Sequence, residues 1–171
     1  MNVRPATSQD LDALSRLVNS AYRGESSKKG WTTEEHLLGG QRTDPKSLAE
    51  TIANPGSVIL LLFQEDQMIG CVNLQKREDA AYVGMLTIEP TLQAGGIGRQ
   101  LLELGEQWAR KNWLSTKMEM TVISVRKELI AWYERRGYQL TSRREPFPYG
   151  DERFGQPKVA DLEFIILEKN L

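Results

Sequence analysis

The segment QAGGIGRQ, from Gln93 to Gln100, carries three glycines within four positions. It follows the apolar run GMLTI and precedes LLELGEQWARKNW, whose apolar residues recur at the spacing of an α-helix. A glycine-rich turn between a strand and a helix is typical of anion binding, because successive backbone N–H groups converge at the positive end of the helix. The segment therefore poses the question of which anion it binds.

Spacing excludes two common phosphate-binding motifs. A P-loop requires Lys and then Ser or Thr directly after its second glycine, but Gly98 is followed by Arg99 and Gln100. A dinucleotide-binding turn requires G-x-G-x-x-G after the first strand, whereas this segment has a different spacing and lies in the middle of the chain. For these residues taken alone, a tightly packed glycine turn without a ligand remains an alternative.

The composition limits the classes of protein that need consideration. The chain has 171 residues, of which 40% are hydrophobic and 26% charged, and this length predicts a single domain over residues 1–171. A formal net charge of -1 provides no overall basic field, so neither nucleic acid nor membrane is an expected partner. One cysteine and one histidine predict no metal site and no internal disulfide. Without an apolar segment of membrane-spanning or signal-peptide length, a cytoplasmic protein is expected.

Hydrophobic periodicity predicts an α/β fold of the mixed α+β kind. The predicted strands are Asn2–Ala6, Ser57–Phe63, Met68–Leu74, Tyr82–Ile88, Lys117–Ile123, Tyr138–Thr141 and Asp161–Glu168. The predicted helices run from Thr7 through Ala21, from the glycine segment to about Trp113, and over Glu128–Arg135. Residues 23–45 are expected to be irregular, apart from a short helix capped by Thr32 or Thr33. Hairpins combined with crossovers predict a mixed sheet.

The pattern Q-x-x-G-x-G, formed by Gln93, Gly96 and Gly98 within LTIEPTLQAGGIGRQLL, resembles the acetyl-CoA-binding motif of the GNAT superfamily of N-acetyltransferases. The opening VRPATSQDLDAL and the later ELIAWYERRGYQ are similar to the first strand and helix and to the late helix of that family. The resemblance covers nearly the whole chain. It implies the GNAT fold: a central mixed, mostly antiparallel sheet of six to seven strands with a splayed parallel pair, flanked by about four helices.

The resemblance implies an acetyl-CoA-dependent N-acetyltransferase. A primary amine of a small molecule, peptide or protein would attack the thioester directly in a ternary complex, with acetyl-CoA as acetyl donor and no metal. The implied partners are this amine and, as in many family members, a second copy of the chain. Two alternatives remain open: a CoA-binding module that senses acyl-CoA without turnover, and an acyltransferase that uses a longer acyl chain.

The resemblance also implies where the cofactor binds. The strands Tyr82–Ile88 and Lys117–Ile123 would splay apart, and pantetheine would bond to the backbone near Leu86 and Ile88. The backbone N–H of Leu86 or Thr87 would stabilise the oxyanion. The turn residues implied around the pyrophosphate are Gln93, Ala94, Gly95, Gly96, Ile97, Gly98 and Arg99.

Two further residues carry implied roles, and one role has no clear candidate. Arg126 stands where many family members have a cofactor-binding asparagine, and an arginine there could bind a CoA phosphate instead. Tyr133 matches the tyrosine usually assigned as the acid for the departing thiolate and as a cofactor contact; the alternative is a core aromatic residue beside Trp132. No general base can be identified, because Tyr82 occupies the position where some members have a glutamate. In many members water relays the proton.

Acceptor binding is expected from two irregular segments, Tyr22–Asp44 and Glu145–Lys158, which combine aromatic residues with charges of both signs. The candidate acceptor-binding residues are Tyr22, Trp31, Glu34, Glu35 and Tyr149. For each glutamate the plainer interpretation is a solvated helix face.

Overall fold

Nine strands and five helices make up the protein, for which a computed structural model describes residues 1–171. The strands are β1 (Asn2–Pro5), β2 (Leu38–Gly39), β3 (Ser57–Gln64), β4 (Gln67–Lys76), β5 (Ala81–Ile88), β6 (Lys117–Ile123), β7 (Gln139–Pro146), β8 (Gln156–Pro157) and β9 (Glu163–Asn170). The helices are α1 (Leu11–Tyr22), α2 (Gly24–Ser27), α3 (Pro45–Ala53), α4 (Ile97–Trp113) and α5 (Lys127–Glu134). None of the helices combines the length and the hydropathy of a membrane-spanning segment.

Seven strands form one sheet in the order β1-β3-β4-β5-β6-β9-β7, and β2 pairs separately with β8. Within the large sheet, β5 and β6 are parallel and every other neighbouring pair is antiparallel. This confirms the predicted fold class, a mixed and mostly antiparallel sheet with one parallel pair and flanking helices.

The parallel pair β5–β6 is joined at one end and open at the other. Only Ala81 with Met118 and Tyr82 with Glu119 are in register. On the other side of β5, the pairing with β4 shifts in register opposite Met85, whose φ of 52° lies in the left-handed region. A bulge of this kind increases local twist and bends the strand, which is consistent with β5 leaving β6 after two residues. The result is a V-shaped gap in the middle of the sheet.

Both faces of the sheet are covered, because consecutive side chains of a strand point to opposite sides. On β3, Leu60 and Leu62 join the core beneath α4 and α5, whereas Ile59 and Leu61 join the core beneath α1 and α3. Cys71 lies in the second of these cores and is fully buried, as expected of a small core residue. Burial raises the pKa of its thiol to about 12, which leaves little reactive thiolate.

The polar region after α1 differs from its prediction. The short helix expected after Thr32 or Thr33 is absent, and the chain makes a single turn in which the N–H groups of Leu37 and Leu38 both donate to the Glu34 carbonyl at 2.8 Å. The helix α3, in contrast, was not predicted. Its local signal is Asp44, which caps the Ser47 N–H at 2.8 Å ahead of a proline at the first turn.

Candidate active site

The glycine segment forms the turn into α4. Gly96 is the N-cap of this helix and has a φ of 80°, a left-handed conformation that glycine adopts without strain. Beside the turn lies a cavity of about 190 Å³, here called the turn cavity. Gln93, Ala94, Gly96, Gly98 and Arg99 line it, whereas Gly95 and Ile97 do not. Five of the seven predicted turn residues therefore share one cavity at the positive end of α4.

Gly98 has no structural need to be glycine. Its backbone does not require a positive φ, and a Cβ built there would lie in ordinary contact, 3.5 Å from Trp132 and 3.7 Å from Ile88. The missing side chain instead leaves the wall of the turn cavity open to a ligand. This favours the ligand-binding interpretation of the glycine segment over a turn that only packs tightly.

The Gln93 side chain ties the turn to the irregular segment that follows α1. Its amide nitrogen donates to the Thr32 hydroxyl at 2.8 Å and to the Ile88 carbonyl at 3.0 Å, and its oxygen accepts from the Trp31 N–H at 2.8 Å. A Cβ at Gly30 would collide with this side chain. The Gln93 side chain therefore holds the glycine turn against the segment that follows α1.

On the other side of β5 lies a second cavity, of about 320 Å³. Arginines from five parts of the chain line it, so we call it the arginine cavity; they are Arg23, Arg42, Arg77, Arg126 and Arg153. Four residues line both cavities, namely Tyr22, Leu86, Leu129 and Tyr133. The two cavities therefore meet at the open end of the β5–β6 gap.

The carbonyl groups of β5 that border this gap already have partners. The Tyr22 hydroxyl donates to the Leu86 carbonyl, and the Gln93 side chain donates to that of Ile88. Both carbonyls therefore point away from β4. The N–H of a strand residue lies on the same side as its carbonyl, so the N–H groups of Leu86 and Ile88 face the gap.

Thr87 has the opposite orientation. Thr87 pairs with Cys71 of β4. Two residues after Thr87, the N–H of Glu89 donates to the carbonyl of Ile69 on β4 at 2.8 Å. Because backbone groups alternate along a strand, the Thr87 N–H also faces β4. Of the two predicted oxyanion donors, the geometry favours Leu86.

Tyr133 is a core aromatic residue that also lines both cavities. Its ring is buried in the core and packs edge to face against Trp132 at 5.1 Å and Tyr138 at 5.9 Å. Burial raises the pKa of the Tyr133 hydroxyl well above the usual value, so the group keeps its proton.

Arg126 lines the arginine cavity and does not line the turn cavity. Its guanidinium donates to Glu34 at 3.0 Å and to the Thr32 carbonyl at 2.7 Å, and its side chain is 8% exposed. Arg23 binds the other oxygen of Glu34. Glu34 is thus a buried bridge between two arginines, which is incompatible with a solvated helix face. With both contacts made inside the protein, Arg126 is placed to hold this bridge and does not extend to the glycine turn.

Two other predicted acceptor residues, Glu35 and Tyr149, also make hydrogen bonds inside the protein. Glu35 accepts hydrogen bonds from the Gly24 N–H and from Lys158, each at 2.7 Å, and these bonds keep its pKa below the usual value. The Tyr149 hydroxyl donates to the Val159 carbonyl at 3.2 Å, and the ring lines neither cavity.

Trp31, a fourth candidate for acceptor binding, does not line the arginine cavity. It lines the turn cavity, where its ring is 6.1 Å from that of Trp132. Of the five candidate acceptor residues, only Tyr22 and Glu34 line the arginine cavity.

Two carboxylates near β5 and β6, Glu119 and Glu89, are likewise engaged. Glu119 binds Arg77 at 2.9 Å and Arg143 at 3.0 Å, and Glu89 caps the following turn through the Thr91 N–H at 2.9 Å. Neither lines a cavity.

The sequence did not single out Arg136, which lines the turn cavity. Its guanidinium lies over the Trp132 ring at 3.7 Å, and its buried Nε has no hydrogen-bond partner. The signal for Arg136 that the sequence offered was a basic residue directly after the predicted late helix. With Arg99, it places two cations beside the turn.

Comparisons with known proteins agree with this architecture. The model of the acetyltransferase (GNAT) family matches residues 12–138. An IAA acetyltransferase of Azospirillum brasilense is 29% identical over 153 residues, which cover 88% of this chain and 86% of that protein. The ribosomal-protein-alanine N-acetyltransferase of Brucella melitensis has a similar structure, with a TM-score of 0.74, 19% identity and 100% of both chains covered. The PaiA N-acetyltransferase of Thermoplasma acidophilum, solved with coenzyme A, gives a TM-score of 0.70 at 18% identity, with 99% of this chain and 98% of that one covered.

Proposed function

Because the chain belongs to the GNAT family of acetyltransferases, we propose that it transfers the acetyl group of acetyl-CoA to a primary amine of a small molecule or peptide. The observation that carries the proposal is the meeting of two cavities at Tyr22, Leu86, Leu129 and Tyr133. A donor in one cavity and an amine in the other would react there by direct attack, in a ternary complex. Holding both reactants in one geometry removes much of the entropic barrier of a bimolecular reaction.

Acetyl-CoA fits the turn cavity by chemistry as well as by shape. The pyrophosphate suits the N–H groups at the start of α4, and the guanidiniums of Arg99 and Arg136 suit the phosphates. The gap between β5 and β6 leaves the N–H groups of Leu86 and Ile88 for the amides of pantetheine, in the manner of an added strand.

The residues at the junction would then divide the chemistry. As the neutral amine attacks, the carbonyl electrons move onto oxygen, where the Leu86 N–H stabilises the negative charge. Collapse of this intermediate expels the CoA thiolate. Tyr133, whose raised pKa keeps it protonated, gives its proton to the departing sulfur and takes one back from solvent. The proton of the amine passes to water, since Glu34 and Glu119 are engaged in ion pairs.

The test is acceptor-dependent release of the CoA thiol from acetyl-CoA, measured with amino acids, polyamines, aminoglycosides, dipeptides and lysine-bearing peptides. Tyr133→Phe should lower kcat by about 100-fold, within the range for loss of a general acid, and leave acetyl-CoA binding unchanged. Tyr138→Phe is the matched control, because it removes a buried hydroxyl that donates to Glu106 and lines neither cavity.

Each result has a distinct meaning. Acceptor-dependent release that falls only in Tyr133→Phe supports the proposal and the assigned role. Equal rates in both variants would keep the transferase and remove Tyr133 from the chemistry. Tight binding of acetyl-CoA without release by any acceptor would overturn the proposal in favour of an acyl-CoA sensor. Donors of increasing acyl length, run with the same acceptor, separate an acetyltransferase from an enzyme for longer chains.

A further inference from the structure

We propose that the acceptor amine is a small amino acid with an apolar side chain, and that Arg42 binds its carboxylate in the arginine cavity. This inference rests on the proposed function, because it names the substrate class of the same site. The starting observation is charge. Five arginines and two glutamates line the cavity, which gives its wall a formal charge of +3.

Within the protein, four of the five arginines already have carboxylate partners. Arg23 and Arg126 share Glu34, Arg77 binds Glu119, and Arg153 binds Asp151. Arg42 alone has no carboxylate within 4.0 Å.

Of the two lining glutamates, Glu34 is fully occupied by its two arginines. Glu145, on β7, is exposed and has no ion-pair partner. Among the residues that line the cavity, Arg42 is thus the one cation without a carboxylate partner, and it is part-buried. A charge of this kind favours an anionic group on the ligand, and a guanidinium matches a carboxylate with two parallel hydrogen bonds.

The protein holds Arg42 in place before any ligand binds. The side-chain oxygen of Asn19 accepts the N–H groups of Arg42 at 2.7 Å and Thr43 at 3.1 Å, and its nitrogen donates to the Thr43 carbonyl at 2.9 Å. One turn along α1, the ring of Tyr22 lies 5.8 Å from the Arg42 guanidinium carbon. Three hydrogen bonds therefore fix the backbone, and an aromatic ring supports the charged head.

The same contacts place the cation near the reacting atoms. The hydroxyl of Tyr22 donates to the carbonyl of Leu86, the residue whose N–H faces the gap. Arg42 therefore lies against the tyrosine that borders the proposed site of attack. A carboxylate held there would belong to the acceptor itself, close to its amine.

The rest of the cavity wall is mostly apolar, and it includes Leu38, Met120, Val122, Phe147 and Phe164. A long polar amine such as a polyamine would leave its charges unpaired against this wall, at a cost in free energy. An apolar side chain would instead be removed from water on binding. Arg42 would bind the carboxylate, the apolar wall the side chain, and the amine would lie at the site of attack. These three groups together are those of an amino acid with an apolar side chain.

The experiment compares acceptors that differ only at the carboxylate. L-Phenylalanine, phenylalaninamide and phenethylamine are assayed with acetyl-CoA in the wild type and in Arg42→Gln, Arg42→Lys and Arg16→Gln. The last variant is the matched control, because Arg16 is exposed on α1 and lines neither cavity. The amide form has the less basic amine and so the larger neutral fraction, which biases the comparison against the proposal.

The wild type should prefer phenylalanine by at least about tenfold in kcat/KM, the size expected for a hydrogen-bonded charge pair. Arg42→Gln should remove this preference, mainly by raising KM for phenylalanine, and should leave phenethylamine unaffected. Arg42→Lys should restore part of it, and Arg16→Gln should match the wild type. If the wild type used the two amines without a carboxylate as well as phenylalanine or better, the inference would be overturned, while the acetyltransferase activity would stand.

If no amine is acetylated, the proposed function fails and the charge preference is measured by binding alone. Isothermal titration of the CoA complex with 3-phenylpropionate and with 3-phenylpropanamide compares a carboxylate with its neutral amide. Tighter binding of the carboxylate, lost in Arg42→Gln, supports the site; equal binding of the two overturns it.

Discussion

The buried bridge of Arg23, Glu34 and Arg126 allows a stability test whose outcome depends on the sign of its net charge. The three side chains are 4%, 10% and 8% exposed, so water screens them little. Two cations share one anion. Glu34→Gln keeps the shape of the side chain but leaves both guanidiniums without a counter-charge.

The size of the effect follows from opposing terms. Each ion pair contributes about 4 kcal/mol at the effective dielectric constant that suits protein interiors, and the desolvation of Glu34 offsets several kcal/mol of the total. Breaking a buried pair from one side typically costs about 3 to 5 kcal/mol. For a chain of 171 residues, a loss of about 3 kcal/mol lowers Tm by about 6 to 12 °C.

Arg23→Met should cost less than Glu34→Gln, although both break the same ion pair. It leaves Glu34 and Arg126 as a neutral pair and removes a buried Nε that has no hydrogen-bond partner. Burial lowers the pKa of Arg23 in spite of Glu34, which shows that the position opposes the charge. For the same reason, the double variant should be more stable than Glu34→Gln alone.

Equilibrium urea unfolding measures these differences, with a constant m-value as the check on two-state behaviour. Glu35→Gln is the control, because its partner Lys158 is exposed and such pairs contribute less than about 1 kcal/mol. The reasoning is refuted if Glu34→Gln unfolds within about 1 kcal/mol of the wild type, or if Arg23→Met is the more damaging change. A raised acceptor KM at unchanged Tm would instead return Glu34 to the acceptor-binding role expected from the sequence.

Three further changes test other parts of the structure. Because burial raises the pKa of Tyr133, kcat/KM should rise with pH as the amine loses its proton, and a descending limb between about pH 8 and 10 would contradict its role as donor. Gly98→Ala should preserve Tm, since the new Cβ would meet Trp132 at an ordinary 3.5 Å, yet weaken acetyl-CoA binding measured by calorimetry; unchanged affinity would remove the ligand from this wall. Asp10→Asn should lower the free energy of unfolding by about 2 kcal/mol at pH 7, because Arg4 holds the Asp10 pKa at about 2. That contribution is present above the unfolded value of 3.8 and is lost as the pH falls through about 2, so a difference from the wild type that persists at lower pH would argue against its electrostatic origin.

The glycine turn and the helix after it were predictable because their signals are local. Strand and helix periodicity on either side of Gln93–Gln100 depends on neighbouring residues, and the left-handed φ of Gly96 requires a residue without Cβ. The position of Tyr133 in the late helix also followed from its immediate context, WYERRGY.

The helix α3 was missed because little in its own sequence marks it. Leu48 is its one buried side chain, and it packs against the core formed with α1 and β3. A short helix of this kind is stabilised mainly by tertiary packing. The Asp44-Pro45 pair signalled only where such a helix would begin.

By itself, the sequence determined the order of the seven strands of the large sheet and of helices α1, α4 and α5, the family, and the position of the glycine turn, since each depends on spacing along the chain. Only the tertiary structure decided the partners of the charges. Glu34 meets Arg126 across 92 positions, whereas Arg42 meets no carboxylate at all. Coulomb energy depends on distance and burial in space, and sequence separation carries no information about either. The fold therefore determines which charges form ion pairs inside the protein and which remain without a partner.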